Sequence, residues 1–396
     1  MFKTLDDIDC RGRRVLVRGD LNVPLRDGAV SDTTRLDRLV PTLAELSEKG
    51  AKVVVLSHFG RPNGRSVPDM SLRPIADALS SALGGQPVAF TGDCIGERTL
   101  SAIDALSEGA VLLLENLRFH AGEEANDPGF ADALAANGDL FVNDGFSVSH
   151  RTHASTSGVA SRLPAFAGRG MQAELEALAS ALETPRKPVA ALVGGAKVST
   201  KLTVLGHLIY RVDSLIIGGG MANTFLFALG TGIGASLCEK NLADTAREIL
   251  ARADETGCRI VLPQDAVIAA ALEEGVATET VPIAAVPDNQ MILDVGPSSV
   301  AALNTHLAEC GTLLWNGPLG AFEIAPFDAG TNAVARRAAE LTASGDLISV
   351  AGGGDTVAAL SHADSIDCFS YVSTAGGAFL EWLEGKELPG VVALER

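Results

Sequence analysis

The chain has 396 residues, of which 47% are hydrophobic and 20% are charged, and its formal net charge is −18. This length suits two domains better than one hydrophobic core, and the composition excludes an intrinsically disordered chain. The strong negative charge argues against nucleic acid or an anionic membrane as the main partner.

The same composition predicts a cytoplasmic protein. Its six cysteines are scattered without C-x-x-C spacing, so neither a disulfide framework nor a cysteine metal site is expected. No apolar signal segment opens the sequence, and no apolar run approaches the roughly 18 residues of a membrane span. The spread cysteines and the lack of exposed heptads make a monomer the default expectation.

Short apolar runs alternate with helical patterns from end to end. The predicted strands lie at 15–17, 53–56, 111–114, 140–142, 189–193, 214–217, 259–262, 312–315 and 347–350. The predicted helices lie at 35–49, 72–83, 172–182, 242–256, 329–343 and 377–383. Continuous apolar strands separated by helix-sized segments predict parallel sheets that are covered on both faces. We therefore expect an α/β fold with two doubly wound, Rossmann-like domains joined by a bridging helix.

The expected domain boundary lies near residues 165–185. There Ala167-Gly168-Arg169-Gly170 precedes an amphipathic helix, which Pro185 and Pro188 end. We predict an N-terminal domain over 1–170, a C-terminal nucleotide-binding domain over 171–384, and a tail over 385–396 that packs back on the first domain.

Polar and basic residues follow the predicted strands of the first half. These residues are Asp20 and Asn22 after the first strand, His58 and Arg61 after the second, then Arg118 and Arg151 after the next two. The carboxyl edge of an open α/β sheet is where such folds bind ligands. Arginine there favours a phosphate or carboxylate ligand, because its planar fork binds both bidentately. Arg35 opens a helix and could add a further fork.

Some of these residues also have a structural interpretation. Asp20 and Asn22 lie on the same side of an extended segment and could bind a ligand hydroxyl, or they could form an Asx turn before Pro24. His150 and His153, which flank Arg151, are more typical of packed histidines than of catalysts.

The second half carries glycine-rich motifs. The P-loop sequence G-x-x-x-x-G-K-[ST] is absent, and Gly230-Thr231-Gly232-Ile233-Gly234-Ala235 follows a helical segment rather than a strand, which argues against a dinucleotide site. Gly194-Gly195-Ala196-Lys197 directly follows a strand. We expect Lys197 and Lys201 on one face of the first helical turn, where two ammonium groups would bind phosphate.

Further motifs suggest a nucleotide and a metal ion. In Gly352-Gly353-Gly354-Asp355-Thr356 the carboxylate of Asp355 could cap the next helix or bind Mg²⁺. Thr374-Ala375-Gly376-Gly377 opens the last predicted helix and offers backbone N–H groups to an anion. Trp315-Asn316-Gly317-Pro318 together with Glu323 could bind a nucleoside. A small polyanion bound by the first half and a nucleotide bound by the second half favour phosphoryl transfer as the reaction.

The motifs SHFGRP, ENLRFH, GGAKVSTK, GGGMA, WNGPLGAFE and GGGDT occur in this order along the chain. With the closing Leu388-Pro389-Gly390-Val391 they make the whole sequence resemble the phosphoglycerate kinase family. The resemblance implies two Rossmann-like domains. It also implies Mg²⁺-dependent phosphoryl transfer from 1,3-bisphosphoglycerate to ADP, giving 3-phosphoglycerate and ATP, in glycolysis, gluconeogenesis or carbon fixation.

The resemblance also assigns expected roles to individual residues. The glycerate substrate would be bound by Asp20, Asn22, Arg35, His58, Arg61, Arg118 and Arg151. The nucleotide would be bound by Gly195, Lys201, Gly219, Gly220, Asn316, Glu323, Gly353, Gly354, Asp355 and Thr356, with Asp355 holding the metal. The transferring group would face Arg35, Lys197, Lys201 and the backbone amides of Gly376 and Gly377.

The sequence departs from the family pattern at three places. Gly19 stands where valine or alanine is usual, Ala375 replaces the first glycine of T-G-G-G, and residues 146–152 differ beside Arg151. The sequence therefore leaves open a catalytically impaired nucleotide-binding relative of the same fold. Another ATP-dependent kinase for small acids also stays open, and a nicotinamide oxidoreductase is the weakest alternative.

Overall fold

The computed structural model describes residues 2–395, which divide into two compact units. The first unit runs to Leu175 and includes the chain from Glu387 onward, and the second spans Glu176–Lys386.

The first unit is built on a six-stranded parallel sheet in the order β5-β6-β4-β1-β7-β8. The strands of this unit are β1 (Arg14–Arg18), β2 (Leu25–Arg26), β3 (Ala29–Val30), β4 (Lys52–Leu56), β5 (Val88–Phe90), β6 (Val111–Leu113), β7 (Leu140–Asn143) and β8 (Ala165–Ala167). Its helices are α1 (Thr34–Glu48), α2 (Arg73–Ala82), α3 (Glu97–Asp104), α4 (Ala121–Glu124) and α5 (Pro128–Ala135), and α6 (Arg169–Leu182) runs through the boundary between the units. The strands β2 and β3 form a separate small hairpin.

Both faces of this sheet are buried, because successive side chains of a strand point to opposite faces. Val15 and Val17 belong to one hydrophobic cluster, whereas Leu16 between them belongs to another. In β4, Val53 and Val54 divide in the same way. The continuous apolar runs of the sequence therefore reflect a sheet with helices on both sides.

The second unit contains another six-stranded parallel sheet, in the order β11-β10-β9-β15-β16-β17, and a three-stranded antiparallel sheet, β13-β12-β14. Its strands are β9 (Val189–Val193), β10 (Ser214–Ile217), β11 (Arg259–Val261), β12 (Asp265–Ala269), β13 (Thr278–Pro282), β14 (Met291–Val295), β15 (Thr312–Asn316), β16 (Ile348–Gly352) and β17 (Tyr371–Ser373). Its helices are α7 (Leu202–Leu208), α8 (Gly219–Ala228), α9 (Ala243–Thr256), α10 (Pro297–Ala308), α11 (Ala329–Ala343), α12 (Gly354–His362) and α13 (Gly376–Leu383). The short helix α14 (Pro389–Val392) belongs to the first unit.

The predicted α/β fold with parallel sheets is confirmed. The antiparallel sheet β12–β14 was not predicted, because β13 is mostly exposed and ends in proline, so it shows no apolar run. The strands β5, β8 and β17, each three residues long, were not predicted either. The short helix α14, which follows the last predicted helix, was not predicted.

The bridging helix begins earlier than predicted. Arg169 and Gly170, expected to precede it, are its first residues. The backbone N–H groups of Arg169 and Met171 donate to Thr42 Oγ1 (2.8 Å) and Asp144 Oδ1 (2.9 Å). These distant side chains satisfy amides that lack a partner within the helix, so the helix can start at glycine-flanked Arg169.

The tail after Glu387 is fixed by backbone contacts within the first unit. The N–H of Gly390 donates to the carbonyl of Ser149 (2.8 Å), and the carbonyl of Gly390 accepts from Asn143 Nδ2 (3.1 Å). Among residues 2–395, no helix combines the length and the apolar character needed to cross a bilayer.

The ends of β9 and β15 approach each other so closely that only glycine fits. A Cβ atom on Gly194 would collide with the carbonyl oxygen of Pro318, and one on Gly317 (φ +104°) with that of Gly194. Both obstacles are backbone atoms, which cannot move aside as a flexible side chain can.

We therefore expect Gly194→Ala to lower the free energy of unfolding of the second unit by about 1–3 kcal/mol or more, as overpacking does. Gly206→Ala is the matched control, since its Cβ would meet no atom within 4 Å and α7 is helical there. That control should gain about 0.5–1 kcal/mol from helix propensity. Chemical denaturation of both variants measures the difference, and equal stabilities would contradict the close approach.

Candidate active site

The sheet order of the first unit places the predicted basic residues side by side. The strands β6, β4, β1 and β7 are consecutive neighbours, and their carboxyl ends lead into Arg118, His58 with Arg61, Asp20 with Asn22, and Arg151 respectively. We call Arg35, Arg61, Arg118 and Arg151 the arginine cluster.

A continuous series of hydrogen bonds links three of these strand ends. One Arg35 Nη atom donates to Asp20 Oδ2 and to the carbonyl of Asn22, both at 2.9 Å. The N–H of Gly60 donates to Asn22 Oδ1 (2.9 Å), and an Arg118 Nη atom donates to the carbonyl of Gly60 (2.8 Å). The N–H of Asn22 also donates to Asp20 Oδ1 (3.1 Å), so the Asx turn is present within this arrangement.

His58 lies within the positive field of the arginines. It is buried, and burial first, then the charges of Arg18, Arg118, Arg35 and Arg151, hold its pKa well below the usual value. An arginine can only donate, so the 3.1 Å contact from Arg18 to His58 Nδ1 makes that nitrogen an acceptor. The proton of neutral His58 is therefore on Nε2, where it can be donated to a ligand.

Arg118 is the most enclosed member of the arginine cluster. Burial lowers its pKa, Glu124 (Nε–Oε1 3.3 Å) opposes this, and the charges of Arg151 and Arg61 lower it further. Mutual influence of this kind shows that these guanidinium groups share one region. Arg61 is exposed and Arg151 half-buried, so both remain accessible to a ligand.

Sequence reasoning missed a buried polar network beneath the cluster. Arg18 is fully enclosed, and its Nε donates to Ser155 Oγ (2.9 Å). The hydroxyl and N–H of Ser155 donate to the two carboxylate oxygens of Glu123, at 2.5 and 2.9 Å. Burial raises the pKa of Glu123, and the charge of Arg18 opposes that rise. The available signal was Arg18 itself, a charged residue ending an apolar strand.

The histidines beside Arg151 have protein partners. Arg151 Nε donates to His150 Nε2 at 3.0 Å. His153 is buried, and burial, followed by neighbouring arginines, lowers its pKa to about 4. Its backbone N–H donates to Thr156 Oγ1 (3.2 Å) at the start of a short π-helix, Ala154–Gly158.

The second unit contains an open pocket with a cavity volume of about 340 Å³. Of the predicted nucleotide residues, it is lined by Gly195, Gly219, Gly220, Glu323 and Asp355. Apolar side chains that sequence reasoning missed also line it, among them Leu237, Pro263, Leu272, Met291, Ile292 and Leu293. Several belong to β14, which was not predicted, so the sequence offered no reason to group them. A mostly apolar slot beside bare backbone suits a flat ring joined to phosphates.

The expected helical placement of Lys197 and Lys201 is wrong. They flank a 3-10 turn, Val198–Thr200, and α7 begins only after Lys201. Ser199 is held by Glu239, whose carboxylate accepts from its N–H (2.9 Å) and hydroxyl (2.6 Å). Side-chain bonds of this kind compete with a regular helix. Glu239, another residue missed from the sequence, thereby fixes the loop that carries both lysines.

Lys201 and Lys197 have different surroundings. Lys197 is exposed. Burial lowers the pKa of Lys201 to about 8, an effect that Asp355 opposes, and its Nζ contacts Asn316 Oδ1. A ligand phosphate at Lys201 would raise this pKa again, because a nearby negative charge favours the ammonium form.

Asn316 and Thr356 are committed to protein contacts in this structure. The amide nitrogen of Asn316 donates to the carbonyl of Gly352 (2.7 Å). The hydroxyl of Thr356 donates to the same carbonyl (2.8 Å) and accepts from the N–H of Gly317 (2.7 Å). They fix the strand ends around Gly353, whose φ is +102°.

Two helix N-termini follow the neighbouring strands β16 and β17. Gly354 and Asp355 open α12 and are exposed. Asp355 makes no capping hydrogen bond, so of the two roles that the sequence left open for it, a helix cap or a Mg²⁺ ligand, the structure does not support the cap. Gly376 and Gly377 open α13 after Ala375, whose φ of −94° accommodates alanine without strain. Amides in the first turn of a helix have no partner within it and can bind an anion.

The other departures have local structural explanations. A Cβ atom on Gly19 would come within 2.5 Å of Leu39 Cδ2, so the Leu39 side chain fills the space that a side chain at position 19 would need. The hydroxyl of Ser147 donates to Asp20 Oδ2, which adds a bond beside the Arg35 contact. Thr152 is exposed.

Comparisons with known proteins agree on one family. The phosphoglycerate kinase family model matches residues 5–386. Phosphoglycerate kinase of Sinorhizobium medicae is 61% identical over 396 residues, which is 100% of this chain and 99% of the relative. That of Methylobacterium radiotolerans is 61% identical over 394 residues, covering 99% and 98%. The solved structure from Coxiella burnetii has a TM-score of 0.92 at 42% identity, covering 100% of this chain and 99% of its own.

Asp294 should make the free energy of unfolding depend on pH. It lies at the pocket wall and is almost fully enclosed, and burial raises its pKa to about 7 although the N–H groups of Gly330 (2.7 Å) and Val295 (2.8 Å) donate to it. A carboxyl with a raised pKa favours the folded state most below its unfolded pKa of about 3.9, and that advantage is lost as pH rises towards 7.

We therefore expect the wild-type free energy of unfolding to fall, relative to Asp294→Asn, as pH rises from about 4 to about 7. Denaturant titrations of both proteins across this range measure the slope. Asparagine loses one accepted hydrogen bond at every pH, so only the slope is diagnostic. Parallel curves would show that Asp294 does not titrate in this range.

Proposed function

The chain belongs to the phosphoglycerate kinase family, and we propose how its residues divide the ligands of that reaction. It is an ATP-dependent kinase of glycolysis, which transfers a phosphoryl group reversibly between 1,3-bisphosphoglycerate and ADP. Its substrates are the phosphoglycerates and the nucleotides.

The first unit binds the glycerate substrate in this proposal. The observation that carries it is the convergence of the arginine cluster at one sheet edge, with the charges of Arg35, Arg118 and Arg151 all acting on His58. A phosphorylated carboxylic acid carries several negative charges, which such a cluster neutralises. Asp20 and Asn22 would bind the substrate hydroxyl, and the Nε2–H of His58 would donate to an oxygen.

The second unit binds the nucleotide. The pocket wall of Leu237, Met291 and Leu293 suits a base, and Glu323 at its margin suits a ribose hydroxyl. Phosphates would meet the backbone of Gly195, Gly220, Gly353 and Gly354 and the ammonium group of Lys201. Gly219 would line the site, but its N–H already donates to the carbonyl of Leu319 (2.8 Å). Asn316 and Thr356 would contribute mainly by holding these strand ends, because their polar atoms already have protein partners.

Asp355 would hold Mg²⁺. Its carboxylate is exposed at the pocket and is close enough to Lys201 to oppose the lowering of that lysine's pKa by burial. One carboxylate with phosphate oxygens and waters is the environment that Mg²⁺ prefers, so the donor set fits. When bound, the ion would neutralise phosphate charge.

Positioning and charge neutralisation suffice for phosphoryl transfer, which needs little covalent chemistry from the protein. Arg35, Lys197 and Lys201 would stabilise charge on the moving group, and the amides of Gly376 and Gly377 would bind its oxygens. The two ligands must meet in line for transfer, and we propose bending about α6 as the motion that achieves this.

We also propose a monomer in the cytoplasm. The six cysteines are all free thiols, which supports a reducing compartment. Their scatter through the chain offers no intermolecular disulfide pattern.

Arg61→Ala tests the division of ligands. It should raise the KM for 3-phosphoglycerate about tenfold or more, because a charge-assisted contact contributes roughly 1.5–3 kcal/mol. The KM for ATP should stay within about twofold of wild type, since Arg61 belongs to the first unit. Arg65→Ala, which removes another exposed arginine four residues later, is the matched control. An equal rise in both KM values would contradict the proposed division.

Lys197→Ala tests the transferring-group role. We expect kcat to fall about 10²–10³-fold, because loss of one preorganised charge at the developing transition state costs about 2.7–4 kcal/mol. Steady-state assays of ATP formation measure kcat, with Lys187→Ala as an exposed-lysine control from the same unit. A kcat within twofold of wild type would remove Lys197 from the transition state.

A further inference from the structure

A second group of chemically reactive side chains lies outside the residues assigned above. The ligand atoms of Asp93, Cys94 and His120 all lie within 4.8 Å of one another. Asp93 and Cys94 are in the loop between β5 and α3, and His120 follows the 3-10 turn Leu117–Phe119. Within residues 2–395, no other three histidine, cysteine or acidic residues converge in this way. We propose that this group, which we call the Asp-Cys-His site, binds Zn²⁺.

Hydrogen bonds hold the loop part of the site in place. Asp93 Oδ1 accepts from the N–H of Cys94 (2.7 Å), and the Asp93 carbonyl accepts from Thr99 Oγ1 (3.1 Å). The carbonyl of Cys94 accepts from Asn137 Nδ2 (2.9 Å). Because the backbone of both residues is fixed, the carboxylate and the thiol are presented together at little entropic cost.

The histidine is held from the other side. Its ring stacks on Phe130, with centroids 5.1 Å apart and planes 27° apart. Nε2 then faces Asp93 Oδ1 at 2.8 Å. That spacing is slightly shorter than the separation of two ligands around one tetrahedral ion, whose bonds are about 2.0–2.3 Å long. A shift of well under an ångström would admit an ion between them.

The mixture of donors selects the metal. Zn²⁺ accepts cysteine sulfur, histidine nitrogen and carboxylate oxygen together, whereas Mg²⁺ and Ca²⁺ prefer oxygen alone. Cys94 is buried, whereas the Asp93 and His120 side chains are 50% and 31% exposed. The sulfur therefore forms the floor of the site, and the fourth tetrahedral position faces solvent and takes water.

Binding requires one proton to leave the sulfur. Burial raises the pKa of the Cys94 thiol well above its usual value, so the unbound cysteine keeps its hydrogen. Coordination forms the sulfur–zinc bond as that proton passes to solvent, with no change in oxidation state. His120 coordinates through the lone pair of Nε2, and its ring proton then occupies Nδ1.

Co²⁺ titration tests the site, because tetrahedral cobalt–thiolate centres give a sulfur-to-metal charge-transfer absorption that oxygen and nitrogen ligands do not. The full-length protein, freed of metal, should bind one Co²⁺ with this absorption, and added Zn²⁺ should displace it. Cys94→Ser should abolish the absorption, and His120→Gln should weaken Co²⁺ binding by about tenfold or more. Cys368→Ser, which alters an exposed cysteine in the second unit, should change neither.

Absence of the thiolate absorption in the wild type would overturn the proposal, as would its survival in Cys94→Ser or its loss in Cys368→Ser. Because Cys94 is buried and its variant could fold poorly, the partly exposed His120→Gln provides an independent test. Unchanged Co²⁺ affinity in that variant would also exclude the site. Titrations without substrate, beside separate kinase assays, keep this outcome independent of the proposed ligand roles.

Discussion

Mutual repulsion of positive charges is the constraint that the first unit must meet. Several guanidinium groups surround His58, and one of them, Arg18, is entirely removed from water. A buried charge is tolerated only when it is paired and hydrogen-bonded. Glu123 supplies the opposite charge, and Ser155 bridges the two side chains.

This requirement explains a minor element of the fold. The helix α4 has only four residues, too few to contribute much core, yet it contains both Glu123 and Glu124. The first balances Arg18 through Ser155, and the second lies 3.3 Å from Arg118. This short helix thus carries the carboxylates that balance Arg18 and Arg118. The arginine cluster still keeps an excess of positive charge, which can attract a ligand.

The second unit meets a different constraint, which is close approach of backbone. Its strand ends expose peptide groups to a ligand, and side chains at Gly194 or Gly317 would collide with neighbouring backbone. Hydrogen bonds from Asn316 and Thr356 hold these strand ends in place, and Glu239 holds the loop that contains Lys197 and Lys201. In a protein with a net charge of −18, the proposed nucleotide site therefore offers phosphates backbone amides and a few lysines rather than a broad basic surface.

The sequence by itself determined most of the parallel strands and the residues at their carboxyl ends, since apolar runs and polar strand ends are local properties. It predicted α11 with its observed bounds, because the helical period is undisturbed there. Tertiary structure decided the features that depend on partners distant in sequence. Thr42 and Asp144 accept hydrogen bonds from the first N–H groups of α6, and Glu239 holds Ser199 in the loop between Lys197 and Lys201. The strand β14 contributes Met291, Ile292 and Leu293 to the apolar wall of the pocket. Sequence spacing fixes which residues come after a strand, but only strand order and packing fix which residues lie beside it.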